Sequence, residues 1–405
     1  MKILFLTDNF PPETNAPATR TYEHCLQWVK QGEDVTVITC FPNFPNGKVF
    51  DSYKNKIYQK TNIDGITVIR VWSYIASNQG FFKRISDFIS YAFMAFIIGL
   101  FQKTDIIVGT SPQFFTAISA RFLAFFKRKP WIMEVRDLWP ESIVAVGAIS
   151  SSSLTYKFLE KIETYLYKSA TKIVVVTNSF KNHINNRGVD DSMIHVVTNG
   201  VDKQKFIPIP KNLDLLKKYN LEDKFIVSYT GTHGMAHALH FILDCAKEVK
   251  NSKIHFIFQG DGAEKQNLIN QAQKLKLTNV TFLPSVPKDE VINFISICDV
   301  SLVNLKRSDT FKSVIPSKIF ENASMTKPIL LGLEGESKEI IKKYNAGITF
   351  IPENKISFLK ALDNITNTEN YLAYKIGCNK LLIDFNRIFL AKKMLAVIKN
   401  TKPKK

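Results

Sequence analysis

Little in this 405-residue chain ties it to metal, to oxidising surroundings or to nucleic acid. Its five cysteines, at positions 25, 40, 245, 298 and 378, make no Cys-x-x-Cys or Cys/His ligand spacing. They fall in apolar contexts and read as buried thiols in a reducing compartment. No RNP-type, zinc-finger or basic-helix pattern appears, which argues against nucleic acid as a partner. No uninterrupted apolar run reaches the roughly 20 residues that a membrane-spanning helix needs. The opening run Ile3-Leu4-Phe5-Leu6 stops at Asp8, too early for a signal peptide. What is present is an ordinary globular composition, 45% hydrophobic and 22% charged, on a length that predicts two domains. The net charge of +18, spread over both halves, calls for an anionic partner: a phosphorylated ligand or an anionic membrane surface.

Apolar runs alternate with helical patterns from the first residues. Lys2 to Thr7 reads as a buried strand, Glu23 to Lys30 as a helix stopped by Gly32, and Asp34 to Thr39 as the next strand. This is a βαβ unit, and further strands at 66–71, 105–108, 131–135, 172–176 and 194–197 extend it into a doubly wound sheet. The proline-bearing segment after Gly200 reads as a linker. A second alternation follows, with strands at 225–230, 254–258, 280–283, 299–303, 328–332 and 347–350. Its helices are predicted at 238–250, 263–275, 288–297, 316–325 and 336–343. The fold class is α/β, with two doubly wound Rossmann-like domains, 1–200 and 201–384, across a cleft. A last helix within 385–405, roughly 385–399, packs back on the first domain.

Two junctions in the second half carry the chemistry. Phe225 to Tyr229 runs into Thr230-Gly231-Thr232-His233-Gly234, with His237 one turn on. Phe256 to Gln259 runs into Gly260-Asp261-Gly262. Glycine turns between a strand and a helix let backbone N–H groups and a helix dipole approach a phosphate, although they also serve as plain βα turns. Both turns emerge at the C-terminal ends of their strands, where open α/β sheets take ligands. Backbone after Leu283, at Pro284, and Asn304 at the end of the fourth strand complete that edge. In Pro316-Ser317-Lys318-Ile319-Phe320-Glu321, Pro316 suits the first turn of a helix, Ser317 and Lys318 suit an anion, and Glu321 suits ribose hydroxyls.

Taken in order, these segments resemble glycosyltransferase family 4, enzymes of the GT-B fold that use a nucleotide-sugar donor. The resemblance covers nearly the whole chain. It includes the Pro11-Pro12 loop, Gln31 to Ile38, Asn199-Gly200-Val201-Asp202, Gly260-Asp261-Gly262 and the Pro316 to Glu321 segment. More narrowly, the Phe41 to Lys48 segment and Glu134-Val135-Arg136-Asp137-Leu138-Trp139-Pro140-Glu141 look like bacterial O-antigen and capsule transferases, a subgroup that includes N-acetyl-L-fucosamine transferases. Glu321 matches the second glutamate of the family's E-x7-E pattern, while Ser313 stands where the first would be. Thr232 stands at the family's Arg-like position and His237 roughly at its Lys-like one. Near the N-terminus Asn15-Ala16-Pro17 replaces the usual Gly-Gly.

The resemblance implies a retaining glycosyltransferase that moves a sugar from a UDP-sugar to a polyprenyl-diphosphate-linked saccharide. It would work in the cytoplasm, at the inner face of the membrane, with no cofactor. Negative charge grows on the departing diphosphate, and cations or fixed N–H dipoles can meet it without metal. No Asp-x-Asp occurs to hold one, so metal independence is expected. With fixed cations missing after Gly231, backbone N–H groups, Lys318 and the histidines His233 and His237 would carry the charge. Donor binding would then weaken as pH rises through the ordinary histidine range. Arg136 and Asp137, after the strand at 131–135, are candidates to hold the acceptor or a sugar hydroxyl, and so form a catalytic set with His233; a structural salt bridge is the alternative. Asn15 and Glu141 are candidates on the acceptor side. The charge-free stretch Phe88 to Gln102, followed by Arg121 to Lys129, reads as either a core helix with a basic turn or a membrane-interface face. A GT-B sugar-nucleotide epimerase and a catalytically silent nucleotide-binding partner remain open alternatives.

Overall fold

The computed structural model describes residues 1–402 except 45–46, 76–80, 112–113, 146–148 and 288–289. Pro45-Asn46 of the Phe41 to Lys48 segment, and the start of the helix predicted at 288–297, therefore lie outside the described residues. The chain divides into two compact units, Met1–Asn199 with Arg387–Lys405, and Gly200–Asn386.

The first unit is built on eight strands, β1 (Lys2–Leu6), β2 (Asp34–Cys40), β3 (Tyr58–Ile63), β4 (Ile66–Val71), β5 (Ile106–Thr110), β6 (Trp131–Val135), β7 (Lys172–Val175) and β8 (Ile194–Val196). Their order is β3-β4-β2-β1-β5-β6-β7-β8. All pairings are parallel except β3 with β4. Helices α1 (Ala16–Lys30), α2 (Phe81–Leu100), α3 (Phe114–Lys127), α4 (Glu141–Ala145), α5 (Leu154–Ser169) and α6 (Asn178–Asn186) join them. A parallel sheet is covered on both faces, so its strands are apolar without alternation. β1 shows this: Leu4 and Leu6 enter the core with Ala117 and Ala120 of α3, while Ile3 and Phe5 enter the opposite core with Cys25 and Trp28 of α1.

The second unit carries six parallel strands, β9 (Phe225–Thr230), β10 (Ile254–Gln259), β11 (Val280–Leu283), β12 (Val300–Asn304), β13 (Ile329–Gly332) and β14 (Gly347–Thr349), in the order β11-β10-β9-β12-β13-β14. Its helices are α7 (Leu213–Lys218), α8 (Leu239–Ala246), α9 (Lys265–Lys274), α10 (Val291–Ile297), α11 (Lys318–Ser324), α12 (Glu336–Tyr344), α13 (Lys355–Thr366) and α14 (Thr368–Asp384). Strand order reverses between β9 and β12, the topological switch at which such sheets open a ligand crevice. The chain then returns to the first unit as α15 (Arg387–Lys399), whose Leu390, Met394, Leu395 and Ile398 are buried with Trp28 of α1.

Three local readings change. The antiparallel hairpin β3–β4 was not anticipated, although its turn, Asp64-Gly65, has both residues at positive φ, the type I′ signature. The helix predicted at 316–325 starts at Lys318, and the Ser317 side chain accepts no capping hydrogen bond. The helix predicted at 238–250 is shorter, Leu239–Ala246, and is preceded by a 3-10 turn, Met235–His237, and by Ala238 in the left-handed conformation. All five cysteines are free and buried. Among the described residues no helix is long and apolar enough to cross a membrane.

Candidate functional site

The two glycine turns of the second unit are one structure. Gly231 N–H donates to the Gln259 carbonyl at 2.8 Å, His233 N–H to the Asp261 carbonyl at 2.8 Å, and Glu264 N–H returns to the His233 carbonyl at 2.9 Å. Gly260 has φ +139°, and a Cβ there would overlap the Gly231 carbonyl oxygen. A Cβ on Gly231 would overlap the ammonium of Lys318. The glycines are thus demanded by turn-to-turn packing and by the lysine, not only by a ligand. The packing also corrects one expectation. The N–H groups of Gly231 and His233 are committed inside the protein, and Gly262 N–H is held by its neighbour Asp261 at 2.8 Å. The helix terminus is also displaced, because α8 begins at Leu239.

Positive charge at the site comes from lysine. Lys318 Nζ donates to the Tyr229 hydroxyl at 3.2 Å and lies 4.3 Å from the centre of that ring; the hydroxyl in turn donates to the Thr232 carbonyl at 2.7 Å. Burial pulls the Lys318 ammonium down to about 8, against a smaller upward pull from Glu321. Lys265, at the start of α9, donates to the carbonyls of Gly260 at 2.7 Å and Leu283 at 3.1 Å. His233 is fully buried, its ring 5.9 Å from Tyr229 and 6.4 Å from Phe282, with both ring nitrogens unpartnered. Burial, then Lys265 and Lys318, push it down to about 4. His237 is likewise at about 4, through burial and Lys318. With values near 4 the histidines are neutral at physiological pH, so the positive charge beside the turns is that of Lys318 and Lys265.

The turns border a depression of about 260 Å³ lined by Thr230, Gly231, Thr232, Gln259, Gly260, Asp261, Ser285, Val286 and Val291. Thr232 and Asp261 are exposed at its rim, and the buried Gln259 amide has an unpartnered Nε2. Pro284 is exposed beside Ser285, and Gly234 leads into the 3-10 turn. Asn304 is buried and donates to the His237 carbonyl at 2.9 Å, fixing that turn. Ser317 and Glu321 flank Lys318 on α11, both half-buried. A larger hollow, about 430 Å³, opens at the opposite ends of β9 to β11 around Lys224, Lys250 and His255, and shares none of the glycine-turn residues.

In the first unit, Arg136 and Asp137 leave the C-terminal end of β6, and both their N–H groups donate to the Ser111 hydroxyl, at 2.8 and 3.3 Å. The Arg136 guanidinium donates to the Pro17 carbonyl at 3.4 Å rather than pairing with Asp137, and burial lowers it to about 10. Burial raises the Asp137 carboxyl, while the nearby Ser142 works the other way. Beneath them Glu134 and Arg20 form a buried pair at 3.0 Å; Arg20 also holds the carbonyls of Val197 and Thr198. Asn15 caps α1, accepting from Ala18 N–H at 2.9 Å and donating to Asn9 at 2.6 Å. Glu141 is held by Arg187 at 2.6 Å and the Tyr156 hydroxyl at 3.3 Å. Both acceptor-side candidates therefore have structural partners.

Two family matches divide the chain in the same way. Residues 15–200 match the Glycosyl transferase 4-like domain and residues 213–376 match Glycosyl transferases group 1. The chain is a glycosyltransferase of the GT-B fold. The transferase is 24% identical over 294 residues to the probable glycosyltransferase WbjE of Pseudomonas aeruginosa, covering 70% of this chain and 72% of that one. It is 25% identical over 328 residues to the putative colanic acid biosynthesis glycosyl transferase WcaI of Escherichia coli K12, covering 79% and 80%. Among solved structures, Anabaena HepE in complex with UDP superposes with a TM-score of 0.71 at 14% identity, covering 98% of this chain and all of that one. At that identity the likeness carries the fold.

Three residues of the transferase escaped the sequence reading: Tyr229, Lys265 and Gln259. Tyr229 sits in an apolar strand run and looks like core. Lys265 is one of 54 Lys and Arg in a basic chain, so its type offers no contrast. Only its place, five residues after the glycine that it holds through the carbonyl, could have singled it out.

Proposed function

We propose that this transferase moves a sugar from a UDP-sugar to a polyprenyl-diphosphate-linked saccharide in O-antigen or capsular polysaccharide synthesis, with retention of anomeric configuration. The observation that carries the donor part is the joined pair of glycine turns with Lys318 and Lys265 beside them, at the switch point of the second sheet. The complex of HepE with UDP supports uridine. As the glycosidic bond breaks, negative charge grows on the leaving diphosphate, and Lys318, pre-placed by Tyr229, is suited to meet it. The leaving phosphate accepts the acceptor proton, so no carboxylate pair and no metal ion take part in transfer. Glu321 is assigned to the ribose, and Asp137 to orienting the acceptor hydroxyl. Ser313, where relatives of the family carry glutamate, suits a sugar with an altered hydroxyl pattern; N-acetyl-L-fucosamine is the proposed case.

A surface of the first unit supports a membrane-borne acceptor over a soluble epimerase reaction. Phe93 of α2, Phe122, Phe125 and Phe126 of α3, and Phe158 and Tyr165 of α5 are all more than half exposed. Phe96 links Phe122 and Phe126 at 6.4 and 5.7 Å, and the Arg121 guanidinium lies 5.7 Å from Phe125 and 6.0 Å from Tyr165. Arg128 and Lys129 follow directly. Aromatic rings among cations suit the headgroup layer of an anionic bilayer on its cytoplasmic side. The test is thermal protection by UDP-sugars against GDP-sugars, followed by transfer to a polyprenyl-diphosphate saccharide. Protection by UDP-sugars with transfer of the sugar is the expected result. Release of a free epimer from the donor alone would replace this reading with epimerisation, and protection without any turnover would leave a silent binding partner.

A further inference from the structure

Three segments of the first unit bring an unusual group of side chains together, away from the glycine-turn site. Glu141 opens α4, Glu163 lies in the middle of α5, and His183 lies in α6. One ligand-capable atom from each falls within 4.8 Å of the other two. Glu163 is 1% exposed, and its Oε1 accepts the Tyr167 hydroxyl at 2.5 Å while its Oε2 is buried with no partner. Glu141 shows the same division of labour. Its Oε1 accepts from Arg187, and its Oε2 is buried without a hydrogen bond. The His183 Nε2, 3.3 Å from Glu141 Oε1, also makes no hydrogen bond of proper geometry.

Two buried carboxylate oxygens without a hydrogen bond, beside an imidazole nitrogen whose one near contact is 3.3 Å from a carboxylate of the same cluster, are a costly arrangement unless something fills it. The charges point the same way. Glu141, Glu160 and Glu163 gather around a single guanidinium, Arg187, which pairs with Glu141 and Glu160. Fully ionised, the group carries a surplus of two negative charges, which one divalent cation would cancel. The His183 and Glu141 side chains are about a quarter exposed, at 26% and 30%, so the cluster has a way in from solvent.

We propose that Glu141, Glu163 and His183 form a divalent-cation site in the first unit. One imidazole with two carboxylates suits Zn2+ or Mn2+ better than Ca2+ or Mg2+, which prefer all-oxygen shells. Ligand atoms at about 2.0–2.2 Å from a zinc ion stand roughly 3.4 Å apart, so modest side-chain rotation closes the present spacing. The role follows from the position of the ligands. The cation would tie α4, α5 and α6 together four residues beyond Asp137, and so hold the segment that carries Arg136 and Asp137. It would act as a positioning element, separate from the metal-free transfer proposed for the glycine-turn site.

The experiment uses the full chain, stripped with chelator and dialysed, then titrated with Zn2+, Mn2+ and Mg2+ by calorimetry and followed by thermal melting. One Zn2+ or Mn2+ per chain is expected, raising Tm by about 5 °C at a hundredfold excess over Kd. His183→Ala and Glu163→Gln should each weaken binding at least tenfold, with Mg2+ inert throughout. Co2+ gives a second readout on the unmutated chain: visible ligand-field bands of a nitrogen–oxygen site are expected. Absence of saturable binding, undiminished binding in both variants, or a bandless cobalt spectrum would each overturn the proposal. Donor protection by UDP-sugars is measured in the same stripped protein, so failure of the cation site and failure of the transferase reading remain separate results.

Discussion

Lys318 rests on Tyr229. Its ammonium stands 3.2 Å from the phenol oxygen and 4.3 Å from the ring centre, and the phenol is itself anchored on the Thr232 carbonyl. A flexible point charge is thereby held at the mouth of the glycine turns before any ligand arrives. Lys318→Met keeps much of the stem and removes the charge. A charge-assisted hydrogen bond contributes about 1.5–3 kcal/mol, so UDP affinity should fall roughly 10- to 100-fold by calorimetry. Unchanged affinity would move the diphosphate elsewhere.

The pH profile of donor binding should follow this lysine and not the histidines. His233 and His237, near 4, are neutral from pH 5.5 upward and contribute no change. Lys318, near 8, loses its proton just above neutrality in the free protein. A diphosphate favours the charged form, so bound protein holds more protons and affinity falls as pH rises through about 8. Affinity for a UDP-sugar, whose esterified diphosphate does not titrate in this range, should be flat from about pH 5.5 to 7 and then weaken by up to tenfold per unit. His233→Gln should leave that shape unaltered. The ligand-free protein has the opposite tendency: between about 8 and the ordinary lysine value the unfolded chain holds more protons, so this group makes stability rise with pH.

Gly260→Ala tests the joint between the turns. With its positive φ and the Gly231 carbonyl in the way, an added methyl must part the two loops. A loss of roughly 2–4 kcal/mol in denaturant unfolding is expected, with UDP protection abolished. A mild change in both would mean that the turns can slide past one another.

Asp137→Asn should cut turnover by about 10²-fold or more with little change in Tm, because its backbone N–H to Ser111 is retained. Near wild-type transfer would reduce Asp137 to a structural residue.

Phe125→Ser combined with Phe126→Ser should leave the melting temperature within about 2 °C, since both rings are 62% exposed. Flotation with phosphatidylglycerol vesicles at low salt should drop severalfold, and neutral vesicles should bind the unmutated chain weakly. Equal flotation of mutant and parent would remove this face from the membrane.

Strands were the most legible part of the chain, because a doubly covered parallel strand writes its burial into nearly every residue. Phe225 to Thr230 is such a run and is β9 to the residue. Helices α13 and α14 escaped because their apolar positions serve more than one neighbour; Tyr374 and Cys378, one turn apart on α14, join different clusters. At the site, Gly231, Gly260 and Lys318 could be read because glycine and lysine announce special geometry and charge. Their partners could not. The neutrality of His233 comes from Tyr229, Phe282 and two lysines, none of them within three residues of it.

The last helix carries a consequence for biosynthesis. Trp28 of α1 donates to the Ala391 carbonyl at 2.9 Å, Arg387 pairs with Glu23 at 3.0 Å, and Lys399 with Glu33 at 2.6 Å. A face of the first unit is therefore closed by residues that are made only after the second unit. The nascent amino-terminal half must wait, with Trp28 and Phe5 uncovered, through synthesis of the entire second unit. That interval is when a chaperone would hold it, and a stop codon before Arg387 would make the waiting state permanent.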